Sequence, residues 1–183
     1  EAPRLGDLAQ RLRQAPQSDL PPLTGCERPT PLPASFAQSR LWLLEQIDGV
    51  SSRYTMALAL RLSGELERTA LNAALSDVVA RHEALRTLLK TGAEGTPEQC
   101  ILSAQAACGE GVLEWVAEPV AEAELERALA AHAVQPFRLA QTIPLRAVLW
   151  PVAVSDPVSL NPVSQDPVSR DHVLLLLLHH SAG

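Results

Sequence analysis

Clusters of basic residues are missing from this sequence. Its 15 Lys and Arg are scattered and outnumbered by 21 Asp and Glu, for a formal net charge of -6. That balance argues against a nucleic-acid-binding face and against attraction to anionic lipid. Cysteine is scarce: Cys26, Cys100 and Cys108 make an odd number with no Cys-x-x-Cys pair. Neither a disulfide framework nor a zinc site is indicated, and a reduced, cytoplasmic setting fits. No apolar run reaches the ~20 residues that a membrane-spanning helix needs. Glu1-Ala2-Pro3-Arg4 leads into a charged amphipathic stretch rather than a signal peptide, so a soluble protein without membrane contact is expected. Lysine and aromatic residues are also few, a bias from which no mechanism follows. What remains is ordinary globular composition over 183 residues, enough for one domain with a core.

The most informative stretch is the last: Asp171-His172-Val173, five leucines, then His179-His180-Ser181-Ala182-Gly183. An unbroken apolar run of this length reads as a strand covered on both faces. If strand geometry persists to its tip, His179 and His180 point to opposite faces, one towards structure and the other towards chemistry. Upstream, Ser35 and Gln38 form a Ser-x-x-Gln capping box, after which Phe36, Arg40, Leu41, Leu44 and Ile47 share roughly one helix face. Tyr54 to Ser63 alternates with Tyr54, Met56, Leu58, Leu60 and Leu62 on one side, the pattern of a half-buried strand. Beyond Gly64, Leu71, Leu75, Val78, His82 and Leu85 form a helix stripe. Residues 91 to 98 read as a loop, Cys100 to Leu102 and Val112 to Val116 as short strands, and Leu125, Ala128, Leu129 and His132 as a further helix.

Several of these stretches resemble the core motifs of condensation domains from nonribosomal peptide synthetases, which share the chloramphenicol acetyltransferase fold. Ser35-Phe36-Ala37-Gln38-Ser39-Arg40-Leu41-Trp42 is similar to the first motif, Ser-x-Ala-Gln-x-Arg-Leu-Trp. Arg81-His82-Glu83-Ala84-Leu85-Arg86-Thr87-Leu88-Leu89 is similar to the second, with Leu89 in place of Phe. Pro136-Phe137-Arg138-Leu139 and Pro144-Leu145-Arg146-Ala147-Val148-Leu149 follow a third pattern, in which Arg138 replaces the usual Asp, so that any ion pair made there is missing or reversed. Family members usually place Asp where Glu67 stands; Glu is a poorer N-cap, and a softer helix start is expected. His179-His180-Ser181-Ala182-Gly183 resembles the start of His-His-x-x-x-Asp-Gly and stops where the Asp-Gly comes next.

The resemblance implies an α+β fold, a two-layer α/β sandwich with a mixed sheet packed against helices. It implies the N-terminal lobe of a condensation domain over residues 21–183, with the C-terminal lobe as a missing partner. Residues 1–20 are expected to end a preceding module; Leu5-Gly6-Asp7-Leu8-Ala9-Gln10-Arg11-Leu12 resembles the last helix of a carrier protein, and equally reads as a generic Leu/Ala/Arg helix. Residues 16 to 33 read as a proline-rich linker. Within 155–171 a pentapeptide repeats three times, as in Asp156-Pro157-Val158-Ser159-Leu160, and reads as an exposed loop joining two strands. A tolerated insertion is favoured there over a contact surface for a neighbouring module.

In function, the resemblance implies attack by the amine of an acceptor aminoacyl thioester on the carbonyl of a donor thioester. Both are held on phosphopantetheine arms of donor and acceptor peptidyl carrier domains, beside an adenylation domain; no cofactor is bound directly. An imidazole, with an ordinary pKa of ~6.5, suits removal of the amine proton. His180 is the catalytic candidate; His179, Arg81, Arg86, Arg40 and Gln38 are read as structural. Metal is not expected, since His172 and His180 would lie roughly 26 Å apart at ~3.3 Å per residue. Ser181 lacks a nucleophile elbow and is not expected to meet an imidazole. A non-catalytic module that recruits tailoring enzymes or carriers is the alternative.

Overall fold

The computed structural model describes residues 4–14, 24–25, 27–109, 111–153 and 171–182. Residues 16–23 and Cys26 of the expected linker, and the repeat loop apart from Asp171, lie outside the described residues. In chain order the elements are α1 (Leu5–Gln14), β1 (Leu32–Pro33), α2 (Phe36–Asp48), β2 (Thr55–Ser63) and α3 (Arg68–Arg81). A 3₁₀ turn (Glu83–Arg86), β3 (Thr87–Thr91), β4 (Pro97–Ile101), α4 (Ala104–Cys108) and β5 (Leu113–Trp115) follow. Then come α5 (Glu122–Ala133), β6 (Leu145–Pro151), β7 (Asp171–His179) and a closing 3₁₀ turn (His180–Ala182).

The leucine run is the middle of the larger sheet, ordered β2-β7-β6-β5. β7 runs antiparallel to both neighbours, with Leu176 opposite Leu58 on one side and Ala147 on the other, while β5 joins β6 in parallel. The sheet is therefore mixed, with helices on both faces. Leu175 and Leu177 pack with Phe137, Val148 and Trp150 under Leu129 and Ala133; Leu174 packs with Ala147 and Leu149 under Leu71 and Leu75. Each such leucine, fully buried, stabilises the fold by about 1.5–3 kcal/mol, which is why a run without polar alternation belongs at the centre.

A smaller antiparallel sheet, β1-β4-β3, stands beside it. Residues 91 to 98 supply the ends and turn of the β3–β4 hairpin, closed by Gly92 N–H to Thr96 O at 2.8 Å. The hairpin is tied to the approach to β6 by Leu89 N–H to Leu139 O at 2.8 Å. On α3, Asn72 Oδ1 accepts from the backbone N–H of both Val112 and Leu113 at 3.0 Å, which docks β5. Gly111 is required by this approach: its φ is 141°, and a Cβ there would lie 2.4 Å from the Asn72 amide.

Three expectations are corrected. Met56, Leu58 and Leu60 are 41%, 53% and 39% exposed rather than half-buried. β2 is an edge strand, and among these positions α3 covers only the end that carries Leu62. On α2, Phe36, Arg40 and Ile47 point outward, whereas Gln38, Leu41, Trp42, Leu44 and Glu45 are partly buried. At about 100° per residue Phe36, Arg40 and Ile47 do share a stripe, but Leu41 lies well round the helix from it, and the core takes the Leu41 side. Glu67 is not a soft cap: its carboxylate accepts from Thr69 N–H at 3.2 Å and Ala70 N–H at 3.1 Å. Hydrogen bonds from Thr69 hold it below the usual carboxylate range.

Burial along β7 and exposure along β2 make opposite predictions for the same residue type. Leu177→Ala should cost about 2–5 kcal/mol in denaturant unfolding, and Leu58→Ser no more than about 0.5 kcal/mol. Equal losses would contradict the placement of the two strands.

Candidate active site at the end of the central strand

β7 ends at His179, whose N–H donates to Pro144 O at 2.9 Å. The ring lies edge-on to Phe137 at 5.8 Å and to Tyr54 at 6.4 Å between centroids, and the residue is only 4% exposed. Its Nδ1 accepts from the Ser181 backbone N–H at 3.1 Å and lies 3.0 Å from Ser181 Oγ. A backbone N–H can only donate, so Nδ1 carries no proton and the neutral ring holds its hydrogen on Nε2. Burial, and then the charge of His180, push the His179 pKa down to about 4.

His180 keeps one ladder-like bond, its N–H to Tyr54 O at 2.9 Å, and opens the closing 3₁₀ turn with its side chain exposed. The two histidines do part, through the end of the strand and this turn rather than through continued alternation. Ser181 is a correction: its hydroxyl does meet an imidazole, that of His179, because the turn folds residue 181 back over residue 179. No carboxylate among the described residues bonds that ring, so the contact is a local lock and lacks the orienting acid of a nucleophilic triad.

Of the motif residues, Gln38 reaches the site. It completes the capping box with Ser35, and its Nε2 donates to Ser181 O at 3.3 Å. Arg86 ties the end of α3 to the exit of β4, donating to Leu102 O and to Ala80 O at 3.4 Å, with Glu83 3.5 Å away. Arg81 and Arg40 are corrections. Both are exposed and make no hydrogen bond or ion pair among the described residues, because each lies on the outward side of its helix. Arg146 donates to Gln135 O at 3.4 Å and Pro136 O at 3.3 Å and stacks 4.6 Å over Phe137, so it holds the ring that packs on His179.

Behind His179 lies a cleft of about 340 Å³, open solvent included, lined among others by Leu41, Leu44, Glu45, Tyr54 and Phe137. Burial raises the Glu45 pKa, while an N–H from Leu139 and the charge of Arg138 pull it back. At this corner, then, the base is Arg138 and the acid comes from α2. Periodicity placed Tyr54 on an alternating strand and the motif contained Ser181, but neither tied them to His179, and neither gave a sign of Glu45. Among the described residues no group of three His, Cys, Asp or Glu is placed to hold a metal ion. No helix of the described residues is long and apolar enough to cross a membrane.

An α/β lobe with paired histidines at the end of its central strand defines the class. The sequence model of the Condensation domain matches residues 30–156, and the chain belongs to that family. The dimodular nonribosomal peptide synthase of Bacillus subtilis is 40% identical over 184 residues, covering all of this chain and 7% of that protein. The isonitrile lipopeptide synthase of Mycobacterium tuberculosis is 38% identical, covering 92% of this chain and 6% of that protein. Among solved structures, the complex of the X-domain and OxyB from teicoplanin biosynthesis superposes with a TM-score of 0.68 at 33% identity, over 87% of this chain and 30% of the other. The first condensation domain of the CDA synthetase gives 0.60 at 22% identity, over 80% and 33%, a likeness of fold. The chain thus spans less than a tenth of these relatives and about a third of these solved chains.

His179 should titrate near 4 in an imidazole proton NMR titration. Because its folded pKa lies below the unfolded value of ~6.5, its contribution to stability is full above about 6.5 and falls as pH drops towards 4. A midpoint near 6.5 for His179 would contradict its burial.

Proposed function

We propose that residues 21–183 form the N-terminal lobe of a condensation domain that joins a carrier-bound donor acyl or peptidyl thioester to the amine of a carrier-bound acceptor. The observation that carries this is the division at the end of β7: His179 buried and neutral, His180 exposed on a turn bonded from two sides. In this reading His180 takes the amine proton or orients the amine as the C–N bond forms, and the donor thiolate leaves. Proximity of the two thioesters supplies much of the rate. His179 acts as structure, and so do Gln38 and Arg86 through the bonds above. Arg81 and Arg40, exposed and without a bond among the described residues, are given no role in this reading.

The phosphopantetheine arms belong to the substrates, and the donor and acceptor carriers, an adenylation domain and the C-terminal lobe are the partners. α1, with Leu5 87% exposed, fits the end of a preceding module. A cytoplasmic setting is part of the same proposal. One observation favours a second reading: the X-domain neighbour, more similar in sequence than the condensation-domain neighbour, was solved as a complex with OxyB. On that reading the lobe recruits a tailoring enzyme and His180 is idle.

Loaded donor and acceptor carriers separate the readings. Residues 1–183 alone should form no amide. In the complete domain, His180→Ala should lower amide formation by about 10²- to 10⁴-fold, the span of general-base catalysis, while His179→Ala should chiefly lower the melting temperature. Equal turnover by wild type and His180→Ala would remove the general base and favour recruitment.

A further inference from the structure

Gln38 uses one amide for two tasks. Its Oε1 accepts from Ser35 N–H at 2.9 Å while its own N–H goes to Ser35 Oγ at 3.2 Å, which closes the start of α2. Its Nε2 points the other way, to the carbonyl of Ser181 at 3.3 Å. Ser181 is therefore held at both ends of its backbone, by His179 Nδ1 at the N–H and by Gln38 at the C=O. His180 precedes it directly, with its own N–H fixed on Tyr54 O. A 3₁₀ turn of three residues has little bonding of its own, so outside partners decide where it points.

We propose that Gln38 is a positioning residue that sets the direction of the His180 side chain through Ser181. Its geometric half stands on these bonds alone; its catalytic half rests on the condensation reading. Gln38→Glu separates the tasks. It keeps the acceptor for Ser35, in a cap where Glu is equally favoured, but loses the donor and sets a carboxylate against the Ser181 carbonyl. Ser35→Ala does the reverse, weakening the cap and leaving the amide in place.

The test measures kcat, KM and melting temperature in the complete domain, and imidazole nitrogen–proton NMR correlations of residues 1–183. Gln38→Glu should lower kcat by about ten- to hundredfold, with KM and melting temperature near wild type, and should shift the His180 signals. Ser35→Ala should lower the melting temperature and leave kcat within about twofold. If Gln38→Glu fails to fold, Gln38→Lys, which keeps a donor and loses the acceptor, should retain kcat at a lowered melting temperature. Wild-type kcat with unmoved His180 signals in Gln38→Glu, or lost kcat in folded Gln38→Lys, overturns the proposal. If the wild-type domain forms no amide, the condensation reading fails; moved His180 signals then still support the clamp, and unmoved ones overturn it.

Discussion

One hydrogen bond organises the tip of the central strand: the N–H of Ser181 to Nδ1 of His179. It requires a neutral imidazole, and burial between Tyr54 and Phe137 supplies one. It also requires the chain to leave strand geometry after residue 179, since only a tight turn brings residue 181 back over residue 179. His180, inside that turn, is thereby delivered to the surface. A buried base and an exposed one, adjacent in sequence, result from a single local lock.

The rest of the lobe makes that lock possible. β7 is central because its leucines pack on both faces, and the sheet thus carries His179 into the interior at its tip. Arg146 fixes the Phe137 ring from above and Gln38 fixes Ser181 from the side. Arg86 joins α3 to the exit of β4 through main-chain carbonyls. Charged and amide side chains used in this way satisfy backbone acceptors at helix ends, loops and turns, which explains polar motif words in a hydrophobic lobe.

Much of the frame was legible in the residues. The capping box of Ser35 and Gln38 and the leucine run each have one physical solution, and both appear where the pattern places them. Amphipathicity was less reliable. The alternation of Met56, Leu58 and Leu60 is real, but which end of a strand a helix covers is decided by tertiary contacts with no local signature. The stripe of Phe36, Arg40 and Ile47 on α2 likewise exists and faces out. Motif matching pointed to Arg81 and Arg40, which bond to nothing described, and passed over Ser181, whose place depends on a turn that alternation did not foresee. Glu67 shows the limit of propensity: a poor cap on average reaches two N–H groups here.

The opposite environments of the adjacent histidines can be read out by histidine acylation with diethylpyrocarbonate, followed site by site by mass spectrometry on the folded chain. Rapid modification of His180 is expected, with protection of His179 until the chain unfolds. Equal rates at the two rings would contradict it, and with it the assignment of one histidine to structure and the other to chemistry.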